Sequence, residues 1–144
     1  MRTKGAKPMG RFAVRVELAN YGDLEAARRD HLDQKKVRRS RIKGVVDPGA
    51  TSLVLPLRVV KKLDLPVTDE VQVTYADGRT ARRETAIAYL ELMGRHGVYT
   101  AVVEPERRTA LIGALVLEDL DLLADCRHQR LVPRDPRFVI TYIE

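Results

Sequence analysis

The residues best placed for chemistry in this chain are Val45-Val46-Asp47-Pro48-Gly49-Ala50, where a carboxylate stands between a β-branched run and a tight Gly turn. β-Branched residues favour a strand and Pro-Gly favours a turn, so Asp47 is held at a strand end. An acid fixed there is placed for proton-transfer chemistry. Pro48, however, occupies a position where that chemistry would prefer a hydroxyl. Two more segments stand out. Tyr75-Ala76-Asp77-Gly78-Arg79 carries Asp-Gly between alternating segments, a strong signal for a short hairpin. Ala110-Leu111-Ile112-Gly113 is an apolar run stopped by glycine.

The elements that must position these residues can be read along the chain. Residues 1–10 are Lys, Arg, Gly and Pro without periodicity and predict a flexible basic tail ahead of one domain over 11–144. Val14, Val16 and Leu18 alternate with charged residues, the period of a half-buried strand. Asn20-Tyr21-Gly22-Asp23 breaks it, and Asp23 is a candidate cap for a helical turn in a loop over Leu24–Leu32. Residues 37–46 read as a strand whose basic side chains face outward. After Asp47, the pattern Leu57, Val60, Lys61, Leu63 predicts a short helix ended before Pro66. Val71–Tyr75 and Thr80–Leu92 form the two arms of the hairpin, and Met93–Gly97 is a further turn before a strand over Val98–Val103. Ala114, Leu117 and Leu120 share a face of a second helix. Asp125–Val132 and Arg137–Ile143 read as closing strands. Many short strands with two brief helices predict an all-β sandwich or closed barrel.

Composition narrows the function classes. The net charge is +6, yet residues 1–43 hold thirteen Lys/Arg against five Asp/Glu, an excess of eight, so the remainder carries −2. The basic leader lacks interleaved aromatic residues, which argues against a nucleic-acid partner. One cysteine, Cys126, excludes an internal disulfide and a Cys-based zinc site, and no metal or cofactor is expected. Nothing approaches the roughly 18 apolar residues of a membrane span. The expectation is a soluble cytoplasmic protein with no membrane partner.

The ordered set formed by Val45–Ala50, Tyr75–Arg79 and Ala110–Gly113, with a helix after each of the outer two, resembles the retropepsin-like aspartic proteases, in particular small bacterial single-domain members. The likeness runs over about residues 11–133. It implies a small closed β-barrel with a flap hairpin, active as a homodimer. Each subunit would supply Asp47, and the pair would share a proton and activate a water against a peptide carbonyl. Gly49 would let its backbone approach the carboxylate and lend it an N–H. Ala50 and Leu111 would line the floor, while Asp77, Gly78 and Arg79 would form the flap over a peptide or protein substrate. No second Asp-x-Gly-Ala occurs, so dimerisation is a condition of catalysis.

Two positions depart from the family pattern. The loop usually carries Thr or Ser where this chain has Pro48, and the hydroxyl and N–H of that residue tie one loop to its twin. Pro48 removes both donors, at a cost of about 1–3 kcal/mol if partners are left unsatisfied. Thr51 and Ala114 stand where retroviral members often pair an acid with an arginine, and both partners are replaced together. A homodimeric aspartic peptidase is therefore the leading expectation. The alternative is a non-catalytic barrel that binds a peptide or partner protein.

Overall fold

The computed structural model describes residues 11–144; the expected tail over 1–10 lies outside them. The strands are β1 (Phe12–Ala19), β2 (Arg39–Val46), β3 (Leu53–Pro56), β4 (Val67–Thr74), β5 (Thr80–Leu92), β6 (Arg95–Glu104), β7 (Ala110–Ile112), β8 (Leu122–Asp125) and β9 (Arg130–Pro133). Three short helices interrupt them: α1 (Tyr21–Arg28), α2 (Leu57–Lys62) and α3 (Ala114–Leu120).

Alternation explains most of the strands. In β2, Ile42, Gly44 and Val46 point inward, while Arg39, Arg41 and Lys43 face solvent. β1 does the same with Phe12, Val16 and Leu18. It pairs antiparallel with β2 along its whole length and, at Glu17–Ala19, also with Tyr89–Glu91 of β5. That double pairing closes a six-stranded barrel in the order β1-β2-β7-β3-β6-β5. Closure removes the exposed edges an open sheet would leave. The interior is filled by apolar side chains, among them Leu18, Val46, Leu53, Leu55, Leu90 and Ile112, all essentially without solvent contact. Burying each is worth about 1.5–3 kcal/mol.

β4 lies outside the barrel. It pairs only with the first half of β5, and nearly all of it is exposed. The expected hairpin thus projects as an arm, while the second half of β5 belongs to the barrel wall. Its tip is a three-residue loop: the Gly78 N–H donates to the Tyr75 carbonyl at 2.9 Å, and the Tyr75 N–H to Arg79 at 2.8 Å. Gly78 has φ +87°, the left-handed conformation that such a loop requires and glycine accepts without strain.

Several local expectations are corrected. The segment after β1 is a true helix, α1, and its cap is Asn20 rather than Asp23. The Asn20 side chain accepts the Asp23 N–H at 2.9 Å and donates to the Leu63 and Asp64 carbonyls, each at 3.0 Å. Asp23 instead takes the Arg38 guanidinium and backbone N–H. α2 ends at Lys62, and its buried face is Val59 and Val60. The region 125–132 is not one strand: it runs from the last residue of β8 through a hairpin turn over 126–129 into β9. Arg137–Ile143 forms no strand at all. Its polar groups bond to side chains and turns: Asp135 accepts the Arg137 and Phe138 N–H groups, Asp121 accepts the Ile140 N–H, and Arg95 reaches the Phe138 carbonyl. The barrel closes through β1 and β5 and offers this segment no edge. The segment is not covered by its own barrel either, since Tyr142 is 80% and Ile143 90% exposed. No helix of the described residues is long and apolar enough to cross a membrane.

Candidate active site

β7 is the strand that builds the site. It lies between β2 and β3, parallel to the first and antiparallel to the second, so the loop joining β2 to β3 passes across its C-terminal end. Asp47 is the first residue of that loop. Its N–H donates to the Ile112 carbonyl at 3.0 Å, extending the β2–β7 ladder by one residue. Pro48 and Gly49 then occupy the corners of a turn closed by the Ala50 N–H on the Asp47 carbonyl at 3.0 Å. Pro48 suits the first corner, where no N–H is needed and its fixed φ is the right one. Pro48 therefore fits the turn it occupies; the donors it lacks are ones that this turn does not use.

The loop is locked from beneath by α3. The Ala114 N–H donates to the Ala50 carbonyl at 2.8 Å and the Leu115 N–H to Thr51 at 3.0 Å, which satisfies two of the unpaired donors of the helix start. Gly113 makes this approach possible, because a Cβ there would lie 2.5 Å from the Ser52 carbonyl oxygen and 2.8 Å from that of Ala50. The apolar-apolar-Gly segment thus supports the Asp loop through space.

The Asp47 carboxylate accepts the Gly49 N–H on Oδ1 at 3.0 Å. Its Oδ2 lies 3.1 Å from Nε of Arg11, with Asp47 14% and Arg11 50% exposed. Asp47, Gly49, Ala50 and Leu111 line one cleft of about 880 Å³, and Asp77 and Arg79 line it from the hairpin tip. Pro48 and Gly78 do not line it; they shape the two loops from behind. The tip is bonded to itself: Arg79 donates to Asp77 through Nε at 2.7 Å and through its backbone at 3.0 Å, and lies over the Tyr75 ring. The Arg79 guanidinium holds the Asp77 carboxyl below its ordinary range.

Three charged cleft residues were not singled out from the sequence: Arg11, Glu104 and Arg107. Glu104, at the end of β6, accepts the Tyr75 hydroxyl at 2.7 Å and pairs with Arg83 of β5. That carboxylate pushes the Tyr75 hydroxyl pKa up and ties the hairpin to the barrel. Arg107 bonds the Thr109 carbonyl at 2.9 Å and hydroxyl at 3.2 Å. Burial, and then the charge of Arg11, pull its pKa down. Arg11, Glu104 and Arg107 stand at strand ends or in a loop, and no local sequence signal marks them. Among the described residues no group of His, Cys, Asp and Glu could hold a metal ion.

A closed six-stranded barrel, a projecting hairpin and an acid loop braced by a glycine and a helix start define the retropepsin-like architecture. The profile of a family described as aspartyl protease matches residues 34–116, more than half of the chain, and the chain belongs to that family. Among solved structures, EIAV protease complexed with the inhibitor HBY-793 is similar at a TM-score of 0.52 and 15% identity, over 83% of this chain and 93% of that one. The retroviral protease-like domain of Ddi1 from Leishmania major is similar at a TM-score of 0.51 and 13% identity, over 90% of this chain and 88% of that one. No curated protein matches by sequence.

Proposed function

We propose that this chain is an aspartic peptidase that works as a homodimer, each subunit supplying Asp47. The observation that carries the reading is the Asp47 carboxylate, fixed by the Gly49 N–H at 3.0 Å, on the cleft that the hairpin tip also lines. Two such carboxylates brought within about 3 Å cannot both ionise, so one is base and the other acid. The base takes a proton from a water that attacks the peptide carbonyl. The acid gives its proton to the carbonyl oxygen. The base then passes the proton it took from water to the amide nitrogen, and the C–N bond breaks to release the amine. A hydroxyl proton of the collapsing tetrahedral species returns to the other carboxylate, leaving a carboxylic acid product.

Within one subunit no described group can be the second acid. Asp77 is taken by Arg79, and Glu104 by Arg83 and Tyr75. The second carboxylate therefore comes from a second copy, for which Arg11 must leave Asp47. The exposed apolar segment 137–143 is the surface that such a copy would cover. Gly78 and Arg79 then act as the flap, and Leu111 and Ala50 as the floor under the peptide.

Pro48 favours a second reading, a barrel that binds peptides without cleaving them, because it lacks the hydroxyl and N–H that would tie the two acid loops together. A degenerate peptide library at acid and neutral pH separates the two readings. Cleavage by the wild type that disappears in Asp47→Asn supports the peptidase. Cleavage that arises only in Pro48→Thr, and is lost when Asp47→Asn is added, supports the binding module. Sedimentation of the full chain and of a variant lacking residues 137–144 tests the dimer; a wild type that stays monomeric with peptide bound refutes it.

A further inference from the structure

The charges on the cleft wall form pairs with one left over. Arg11 is matched by Asp47, Arg79 by Asp77, and Glu104 by Arg83 from behind the wall. Arg107 is the remaining cation, and it makes no ion pair among the described residues. Its bonds go to neutral groups of Thr109, through Nε and Nη2, and Nη1 has no described partner. The side chain is half-buried. Burial and the nearby Arg11 both work against its charge, while Glu104 and then Asp47 are close enough to favour it without forming an ion pair with it. A desolvated guanidinium with an unused face has a natural complement: a planar carboxylate that can take two parallel N–H bonds.

We infer that this cleft selects peptides bearing an Asp or Glu side chain next to the reacting bond, and that Arg107 is the residue that reads it. The inference rests on the peptidase reading of the same cleft. It gains from dimerisation, because two Asp47 carboxylates sharing a proton need less countercharge than two separate ones, which leaves Arg11 to add to the positive lining. Charged groups aligned in this way set partner choice more than overall affinity. The net charge of +6 also draws acidic segments toward the protein.

The test uses the full chain and end-blocked peptides in which a single Glu is moved through a Gln background, with matched Gln and Lys versions and one Gln peptide left with a free C-terminal carboxylate. Binding is read by fluorescence anisotropy with wild type and Asp47→Asn, and turnover with wild type. The expected result is one Glu position preferred over Gln by about tenfold in Kd and kcat/KM, with Lys weakest. Arg107→Gln should bring the Glu/Gln ratio to within about twofold, Arg107→Lys should keep part of it, and Arg107→Glu should favour Lys; a merely structural arginine would not invert the order. Equal affinity for Glu and Gln peptides, an unchanged ratio in Arg107→Gln, or a gain confined to the free C-terminus would overturn the inference. Cleavage without a Glu preference refutes it and leaves the peptidase standing. A Glu preference in binding with no turnover refutes the peptidase and supports the assignment to Arg107.

Discussion

Gly113→Ala probes whether α3 really braces the acid loop. The added methyl would sit 2.5 Å from the Ser52 carbonyl oxygen, and 2.8 Å from both the Ala50 oxygen and the Thr51 carbonyl carbon. These are backbone atoms, so no side chain can swing away. Gly113 has φ −92°, which alanine accepts, and the penalty is therefore steric and not conformational. Relief requires the loop and the helix start to part by the better part of an ångström, which stretches the Ala114 to Ala50 and Leu115 to Thr51 hydrogen bonds from 2.8 and 3.0 Å. Overpacking of this kind costs about 1–3 kcal/mol. Two weakened hydrogen bonds add about 0.5–1.5 kcal/mol each. The sum of about 2–6 kcal/mol is a large part of a typical stability of about 5–15 kcal/mol. Equilibrium urea unfolding measures it directly, and thermal unfolding should show a fall of roughly 2–4 °C per kcal/mol for a chain of this size. Gly49→Ala is the internal comparison: its Cβ would meet only Asp47 Oδ1, at 3.3 Å, so the loss should stay within about 1 kcal/mol. A Gly113→Ala protein as stable as the parent, or no less stable than Gly49→Ala, would refute the bracing.

Asn20→Ala should cost about 2–4 kcal/mol in urea unfolding, because it removes the α1 cap and leaves the buried Leu63 carbonyl and the Asp64 carbonyl without their donor; a loss below about 1 kcal/mol counts against that role. The Asp23 carboxyl is held below its ordinary 3.8, first by the hydrogen bond from Arg38. A folded value below the unfolded one means its contribution is complete above 3.8 and is lost as pH falls through the lowered folded value. Asp23→Asn should therefore flatten the acid limb of the stability–pH curve, and an unchanged limb speaks against it. Glu104→Ala frees Tyr75 and Arg83 together, so hydrogen exchange should quicken in Val71–Thr74 and peptide affinity should fall several-fold; equal exchange in both proteins would show that the hairpin is held elsewhere. Arg11→Gln should change stability by less than about 1 kcal/mol, since half of the arginine is exposed to solvent, and a larger loss in urea unfolding would contradict that.

The strands were legible wherever one face is buried. Ile42, Gly44 and Val46 alternate in β2 because the barrel interior accepts only one side of the strand. Apolar alternation failed at Arg137–Ile143, where the pattern is strand-like but every barrel strand already has two neighbours, so the barrel offers it no edge to join. The extent of α1 was also hidden. Its apolar content is weak, and it is held by one capping side chain that bonds to carbonyls far along the chain.

Asp47, Gly49, Asp77, Gly78 and Gly113 could be marked from sequence because turn chemistry acts between neighbours: an Asp before Pro-Gly, or an Asp-Gly pair, has few backbone conformations to choose from. The charges around them could not. Arg11 meets Asp47, Glu104 sits between Tyr75 and Arg83, and Arg107 is left over, only because the residue before β1, the end of β6 and the segment before β7 converge on one cleft with β5 behind its wall. Electrostatic interaction follows distance through space, and that distance was set by the register and closure of the barrel.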